Sequence, residues 1–584
     1  MKTLSIISAT LALSVLAAPA GAQTLARLAS PTTMLTLEMA NFSGARSVAP
    51  GLVKDIGKLN LFGSLGLSGA EQRQVTDILS LADRDAMLAI SLDATGSPHF
   101  LAAARVSATA GKSVGGMLNS AAADAKRSHA VLQKARAGAF AYTIETNRDG
   151  SQMAYGLDSG LVFVSDHPAT LGDFLRNASG KGSGGLGGQS RYANVMNSVG
   201  DGQLRLYLNF QPVADMAGQL GDMGMKGLNL APALNALAGV GQMGLRLRVT
   251  ANGLESVTSL APNAARDPAL ASLMLARPSG KLQAAGVVPA NVVSFSTSSA
   301  NINGLYGYLN TLVDKTGLNP GGLDALGAQN LGLDLRKNLV AWMSDEIATA
   351  SFKVNSKTAP LEAVYYLKVT DVKTAQAGLE ASVPAIATAL GKVFDMAAGG
   401  LGSAMGGTPG KAKPATATTV KTTSGVIVGV PVTRWTSGST TLVTAFQNNF
   451  LLVATSNAGM SAALAAGPRL TGSKAWTTLT AKLPANATAI SLSDTATTLR
   501  TTGQILSTLG PAFTTGLSAG MGMAGGATGG MTNSTAAMTG ELAGVMSRMS
   551  AFMNALANRA GTGYGWTVVS NGRVTSTSVT PMRW

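Results

Sequence analysis

The chain contains no cysteine. That excludes disulfides and thiolate metal sites, and it removes the residue a bacterial lipoprotein needs at its processed N-terminus, so cohesion rests on core packing. Charged residues make up only 12% of the 584 positions, against 46% apolar ones, so the chain is long and apolar enough for at least two large cores. Beyond the N-terminus no apolar run approaches the roughly 20 residues of a spanning helix, because Gly, Ser, Thr and charges interrupt every candidate. Chemistry-bearing motifs are equally scarce. No serine sits in Gly-x-Ser-x-Gly with triad signals, and the Gly-rich string at 180–188 lacks the Gly-Lys-Ser/Thr ending of a phosphate loop. The three histidines, His99, His129 and His167, show no zinc spacing, and His167 beside Asp166 is read as a local helix cap. The sequence therefore nominates no catalytic residue, no metal ligand and no cofactor.

What is present begins with Lys2, an apolar run from Leu4 to Leu16 and Ala20-Gly21-Ala22, the pattern of an export signal cleaved before Gln23; a membrane span is the competing reading, against which stand the short apolar core and its interruption by Pro19 and Gly21. Lys and Arg exceed Asp and Glu by 44 to 29, a net charge of +15, and loss of Lys2 leaves +14. Such a surplus favours anionic partners through long-range attraction. The charges are scattered, with no basic stripe and aromatic platform of the kind that reads nucleic acid, so no specific nucleic-acid groove is expected. A solvated surface kept soluble by its charge is the competing explanation.

The chain is written twice. Gly160 to Asp166, a helix-like run and Ser190-Arg-Tyr-Ala193 reappear as Asn449 to Ser456, a helix-like run and Ser473-Lys-Ala-Trp476. Alternating runs at Met34–Met39, Ala86–Leu92, Phe100–Val106, Phe140–Glu145, Gln152–Leu157 and Leu204–Leu208 have counterparts at Asn291–Ser296, Glu346–Val354, Val364–Val369, Val426–Trp435, Thr440–Phe446 and Ala487–Leu492. Long helices are expected at Gly111–Ala135 and Val372–Met396, the second with an apolar face of Ala375, Leu379, Val383, Ile386 and Leu390. Arg248–Pro262 aligns with Thr567–Pro581, and Asn252-Gly253 and Asn571-Gly572 read as type I′ hairpin turns. The expected fold is α+β: tandem duplicated domains, each an antiparallel sheet with helices packed on one face and a terminal hairpin. The expected divisions are a signal peptide at 1–22, a first copy at 23–262, a linker at 263–290 and a second copy at 291–584.

Leu331-Gly-Leu-Asp-Leu-Arg-Lys-Asn-Leu339 with Trp342, the Phe450–Thr455 strand with its following helix, and Trp476 leading through Leu483-Pro484 to the Ala487 strand resemble the bacterial exported proteins grouped as domain of unknown function 3352. The first copy departs from the first of these motifs, having Leu67-Ser-Gly69 and Ile78–Leu81 at the corresponding place. The resemblance covers much of residues 30–510. It implies an envelope location and brings no catalytic residues.

Each copy also carries a Gly- and Met-rich segment, Met216–Met243 and Met521–Met553. In the second, Met538, Leu542, Met549, Phe552 and Met553 are the candidate ligand-binding residues of an amphipathic helix. Three uses compete: filling an irregular internal groove, receiving an apolar ligand, lipid or partner helix, and collecting soft Cu(I). The functional expectation is a non-enzymatic, periplasmic or cell-surface protein that binds an envelope lipid, an anionic wall polymer or a protein partner, with peripheral membrane contact and self-association both open. An envelope enzyme acting on a polymer and a structural assembly subunit are the alternatives.

Overall fold

The computed structural model describes residues 25–39, 85–93, 96–182, 184–212, 214–215, 229–276, 281–355, 361–385, 420–437, 440–500, 551 and 554–583. The proposed signal peptide, residues 216–228 of the first Met-rich segment and all of the second except residue 551 lie outside them. The described strands, in chain order, are β1 (Thr33–Met39), β2 (Ala86–Leu92), β3 (Pro98–Arg105), β4 (Val131–Ala137), β5 (Phe140–Thr146), β6 (Gln152–Asp158), β7 (Leu161–Ser165), β8 (Leu204–Asn209), β9 (Gln242–Thr250), β10 (Gly253–Ala261), β11 (Ser294–Ser299), β12 (Met343–Lys353), β13 (Leu361–Val369), β14 (Lys421–Ile427), β15 (Val430–Ser437), β16 (Thr440–Gln447), β17 (Phe450–Ala454), β18 (Ala487–Asp494), β19 (Thr562–Ser570) and β20 (Arg573–Pro581). The chain divides into two compact units. The first holds Met1–Met225, Ala233–Met274 and Ser570–Trp584; the second holds Lys226–Pro232 and Leu275–Val569.

In the first unit every pairing is antiparallel, in the order β4-β5-β6-β7-β3-β2-β1-β8-β9-β10-β20. Its last strand comes from the chain's C-terminus, which the sequence reading had grouped with the second copy. The second unit pairs β14-β15-β16-β17-β13-β12-β11-β18-β19, again antiparallel throughout.

Helices α1 (Ala108–Arg127), α2 (Pro168–Ala178) and α3 (Ser190–Val199) cover the first sheet. They lie on both of its faces rather than one, which corrects the expected arrangement. Strand β7 shows why: all five of its residues are buried. Val162 and Val164 pack with Val114, Leu118 and Ala121 of α1, whereas Leu161 and Phe163 pack with Leu171, Phe174 and Leu175 of α2 and with Tyr192 of α3. A short continuous apolar run is the signature of a strand covered twice, because alternate side chains leave opposite faces.

Helix α1 ends earlier than its pattern suggested. Ser128 caps it, His129 takes a positive φ of 64°, and Val131 starts β4, so residues 131–135 are strand. The expected strand Val426–Trp435 is likewise a hairpin of β14 and β15, turning at Val428 and Gly429 with φ of 50° and 78°. A β-branched residue at positive φ is disfavoured by its Cβ, which hid this turn. Asn571 and Gly572 adopt the positive φ of a type I′ turn, 51° and 69°. At the turn between β9 and β10 Thr250 instead pairs with Gly253, and Ala251 and Asn252 form the loop.

The second unit carries α4 (Ile302–Lys315), α5 (372–385), α6 (Asn457–Leu464) and α7 (Lys474–Thr480). Ala375 and Leu379 of α5 pack with Trp342, Val369 and Leu451. Ile386 and Leu390, assigned to the same face, lie outside the described residues. Within 263–290 the chain forms a helix at Pro268–Met274 and a 3-10 turn at Ala284–Gly286.

Each unit tethers its entry segment with a buried carboxylate. Glu38 accepts a hydrogen bond from Ala26 N (3.2 Å), and Glu346 accepts from Gln283 N and Ala284 N (both 2.8 Å) and from Thr297 Oγ1 (2.9 Å). Another acid is costly. Burial raises the Glu145 carboxyl above its ordinary value of 4.5, and burial with the charge of Glu145 pushes the Tyr155 hydroxyl up to about 12. A raised carboxyl means the folded state holds its proton longer than the unfolded state. Its stabilising contribution is thus present below pH 4.5 and is lost as pH rises through the raised value. Glu145→Gln is expected to flatten that decline in a pH series of thermal melts; an unchanged slope contradicts the assignment.

Candidate functional site

A surface cavity of about 380 Å³ opens in the first unit where α3 meets the ends of β9, β10 and β20. Strand register builds its floor. Ala261 pairs with Gln242 on one side, and the β10–β20 ladder, ending at Leu260 opposite Val574, brings Arg573 beside Ala261 on the other. Helix α3 supplies Arg191 and, one turn later, Asn194, while Pro262, Asn263, Ala264 and Ala265 form one wall and Asn571 and Gly572 another. Arg573 Nη1 donates to Asn194 O at 2.5 Å, which locks the guanidinium against the helix.

The lining is one-sided in charge: two guanidiniums, the amides of Asn194, Gln242, Asn263 and Asn571, and no carboxylate. Among the described residues neither Arg191 nor Arg573 forms an ion pair with an acid. Arg191 also lies near enough to the buried Tyr207 hydroxyl to offset part of the rise that burial imposes on it. Planar guanidinium forks present paired N–H donors that match phosphate and carboxylate oxygens, and side-chain amides add neutral donors. Nothing in the lining supplies a general base or an activated nucleophile.

The five residues nominated from the sequence, Met538, Leu542, Met549, Phe552 and Met553, lie outside the described residues. His167 performs its expected capping, accepting from Thr170 N. What sequence reading missed is convergence. Arg573 and Asn194 are 379 positions apart, and His99 and His167 are brought into ring stacking. The available signal for the cavity was the hairpin match ending at Pro262 and Pro581, which does not say that the second hairpin's last strand pairs with β10.

The fold and cavity define an antiparallel α+β protein with a cationic surface pocket. Residues 123–392 match the family described as Protein of unknown function (DUF3352), the family that the sequence motifs resemble. No curated protein matches the chain. Among solved structures, crystal forms III, IV and I of TP0453 are similar to it at 11%, 13% and 12% identity. The similarity covers 42%, 41% and 42% of this chain and 81%, 81% and 80% of theirs, with TM-scores of 0.23, 0.24 and 0.21. Among the described residues no helix is long and apolar enough to cross a membrane.

Proposed function

We propose that this chain is an exported, non-enzymatic envelope protein of two duplicated domains that binds an anionic envelope component through the Arg191–Arg573 cavity. Duplication is supported by the shared order of strand pairing, in which β1–β3 and β7 correspond to β11–β13 and β17. Export to the periplasm or cell surface rests on the N-terminal pattern of Lys2, the apolar run and Ala20-Gly21-Ala22. The observation that carries the binding role is the cavity's composition: two arginines and four amides around a space of about 380 Å³, with no acid. That space is larger than a bare ion requires and suits a phosphate- or carboxylate-bearing headgroup or a polymer unit.

The long-range surplus of positive charge, +14 after loss of Lys2, would concentrate such ligands near the protein. Charge-assisted hydrogen bonds contribute about 1.5–3 kcal/mol each. Arg191→Gln with Arg573→Gln is therefore expected to weaken binding at least about 10-fold. The test uses the chain from Gln23 onward in a flotation assay with vesicles of anionic or zwitterionic lipid, with soluble sugar phosphate as competitor. Binding to anionic vesicles that the competitor displaces indicates a headgroup, and binding of sugar phosphate without flotation indicates a polymer unit. Equal binding by the wild type and the double variant sinks the proposal. Arg573→Lys retains a donor for Asn194 O and separates loss of the turn from loss of the ligand.

A further inference from the structure

We propose that Asp93, His99 and His167, in the first unit and separate from the arginine cavity, form a binding site for a divalent transition-metal ion of the zinc class. One ligand atom from each of the three lies within 4.8 Å of the others. The site is assembled by the β3–β7 ladder. Leu101 pairs with Ser165, so continuing that register by two residues places His99 opposite His167, the N-cap of α2. Asp93 follows β2 at the neighbouring turn.

Two of the candidate ligands, Asp93 and His167, are already held through another polar atom, and His99 has a carboxylate near its second nitrogen. Asp93 Oδ1 accepts from Ser97 N at 2.9 Å, which leaves Oδ2 directed at His99 Nε2, 3.1 Å away. His99 Nδ1 faces Asp166 Oδ2 at 3.6 Å, and Asp166 is itself fixed by Phe100 N donating to Oδ1 at 2.9 Å. His167 Nδ1 meets Thr170 Oγ1 at 2.9 Å, which leaves its Nε2 for a ligand. Metal-bound histidines typically donate their second N–H to a carboxylate or another fixed acceptor, which sets tautomer and orientation. Asp166 lies on that side of His99; at His167 the tautomer with the proton on Nδ1 donates to Thr170 Oγ1, so taking an ion on Nε2 requires Nδ1 to give up the cap it accepts from Thr170 N. The 3.1 Å between His99 Nε2 and Asp93 Oδ2 is a hydrogen-bond distance that would need to open only slightly, to the edge of about 3.3–3.4 Å for two ligands about 2.0–2.1 Å from one tetrahedral ion.

The imidazoles are stacked, with centroids 4.1 Å apart and planes 10° from parallel. In that arrangement their lone pairs lie in separate planes, so sharing one ion requires one ring to turn about its broad χ2 torsion. Two imidazoles and one carboxylate suit zinc, with a position left for water, and disfavour the all-oxygen preferences of magnesium and calcium.

The second unit shows what this corner needs for folding alone. Extending the Tyr365–Val453 register places Glu362 opposite Ser456, the N-cap of α6. There Ser456 Oγ donates to Glu362, and Thr455 Oγ1 donates to the same carboxylate at 3.0 Å. A hydroxyl cap and one acid join strand to helix without any imidazole, so the stacked pair exceeds the structural requirement.

The experiment titrates the chelator-stripped chain from Gln23 onward with Zn²⁺ against a chromophoric chelator, and with Co²⁺ read by its visible ligand-field absorption. Three variants preserve local structure: His167→Ser reproduces the cap of the second unit, His99→Gln keeps a polar side chain, and Asp93→Asn keeps an acceptor for Ser97 N. Each is expected to lower Zn²⁺ affinity about 100-fold or more, and Asp166→Asn about 10–100-fold. His129→Gln, at an exposed position, should leave affinity unchanged, as should excess Mg²⁺. Far-UV circular dichroism and melting without metal confirm that each variant folds. The proposal is overturned if folded wild type binds no Zn²⁺, or if His99→Gln and His167→Ser bind it within about threefold of wild type.

Discussion

Glu38→Leu is expected to destabilise the first unit by about 3–5 kcal/mol, the typical cost of breaking a buried ion pair from one side. Glu38 and Arg205 face each other across the β1–β8 ladder, 3% and 9% exposed, with Oε2 and Nη1 3.4 Å apart. Leucine would strand the guanidinium, whose other hydrogen bond among the described residues is a long one, Nη2 to Met196 O at 3.5 Å. It would also remove the acceptor of Ala26 N. Urea unfolding followed by hydrogen exchange across Leu25–Ala29 and β8 should locate the loss there. Glu38→Leu combined with Arg205→Met should recover most of it, because the stranded charge goes too. A single variant within about 1 kcal/mol of wild type would show that water reaches the pair.

Trp342→Ala should cost the second unit a similar amount, about 3–5 kcal/mol, as expected for a large aromatic removed from a core. The indole is 1% exposed, and Nε1 donates to Asn338 O at 2.6 Å. Asp334 organises the preceding turn by accepting from Lys337 N at 2.9 Å. Helix α5 closes the pocket. A Cβ on Gly378 would sit 2.3 Å from Asn338 O and 2.5 Å from Trp342 Nε1. Gly378→Ala must therefore push helix from turn, because one obstacle is backbone. Trp342→Phe should retain most of the stability, having lost one hydrogen bond and part of the area. Hydrogen exchange over 372–385 gives the readout: wild-type protection in Trp342→Ala would contradict this packing.

These two sites show different degrees of legibility. The Leu331–Leu339 motif with Trp342 was visible only through its resemblance to a family, which did not say that Asp334 organises the turn or that Trp342 is buried. The face of Ala375, Leu379 and Val383 was visible from the residues themselves, because helical periodicity repeats along the chain. Glu38 and Glu346 were not recognised as tethers. They lie on β1 and β12, and their backbone donors precede them by 12 and 62 residues. Turns divided likewise. Asn571-Gly572 was readable because both residue types tolerate positive φ, whereas Val428 adopts φ of 50° against its own preference.

Composition, periodicity and local signals sufficed for the antiparallel α+β class, most strand positions, the cap of α2 and the absence of any thiolate chemistry. Those properties follow from side-chain period, local hydrogen bonding and composition. The coverage of both faces of the first sheet by helices, the pairing of β20 with β10 that sets Arg573 near Arg191, and the meeting of His99 with His167 emerge in the folded chain alone. Each depends on non-local register, where many pairings satisfy the same alternating pattern and the chosen one is set by the packing of the whole unit.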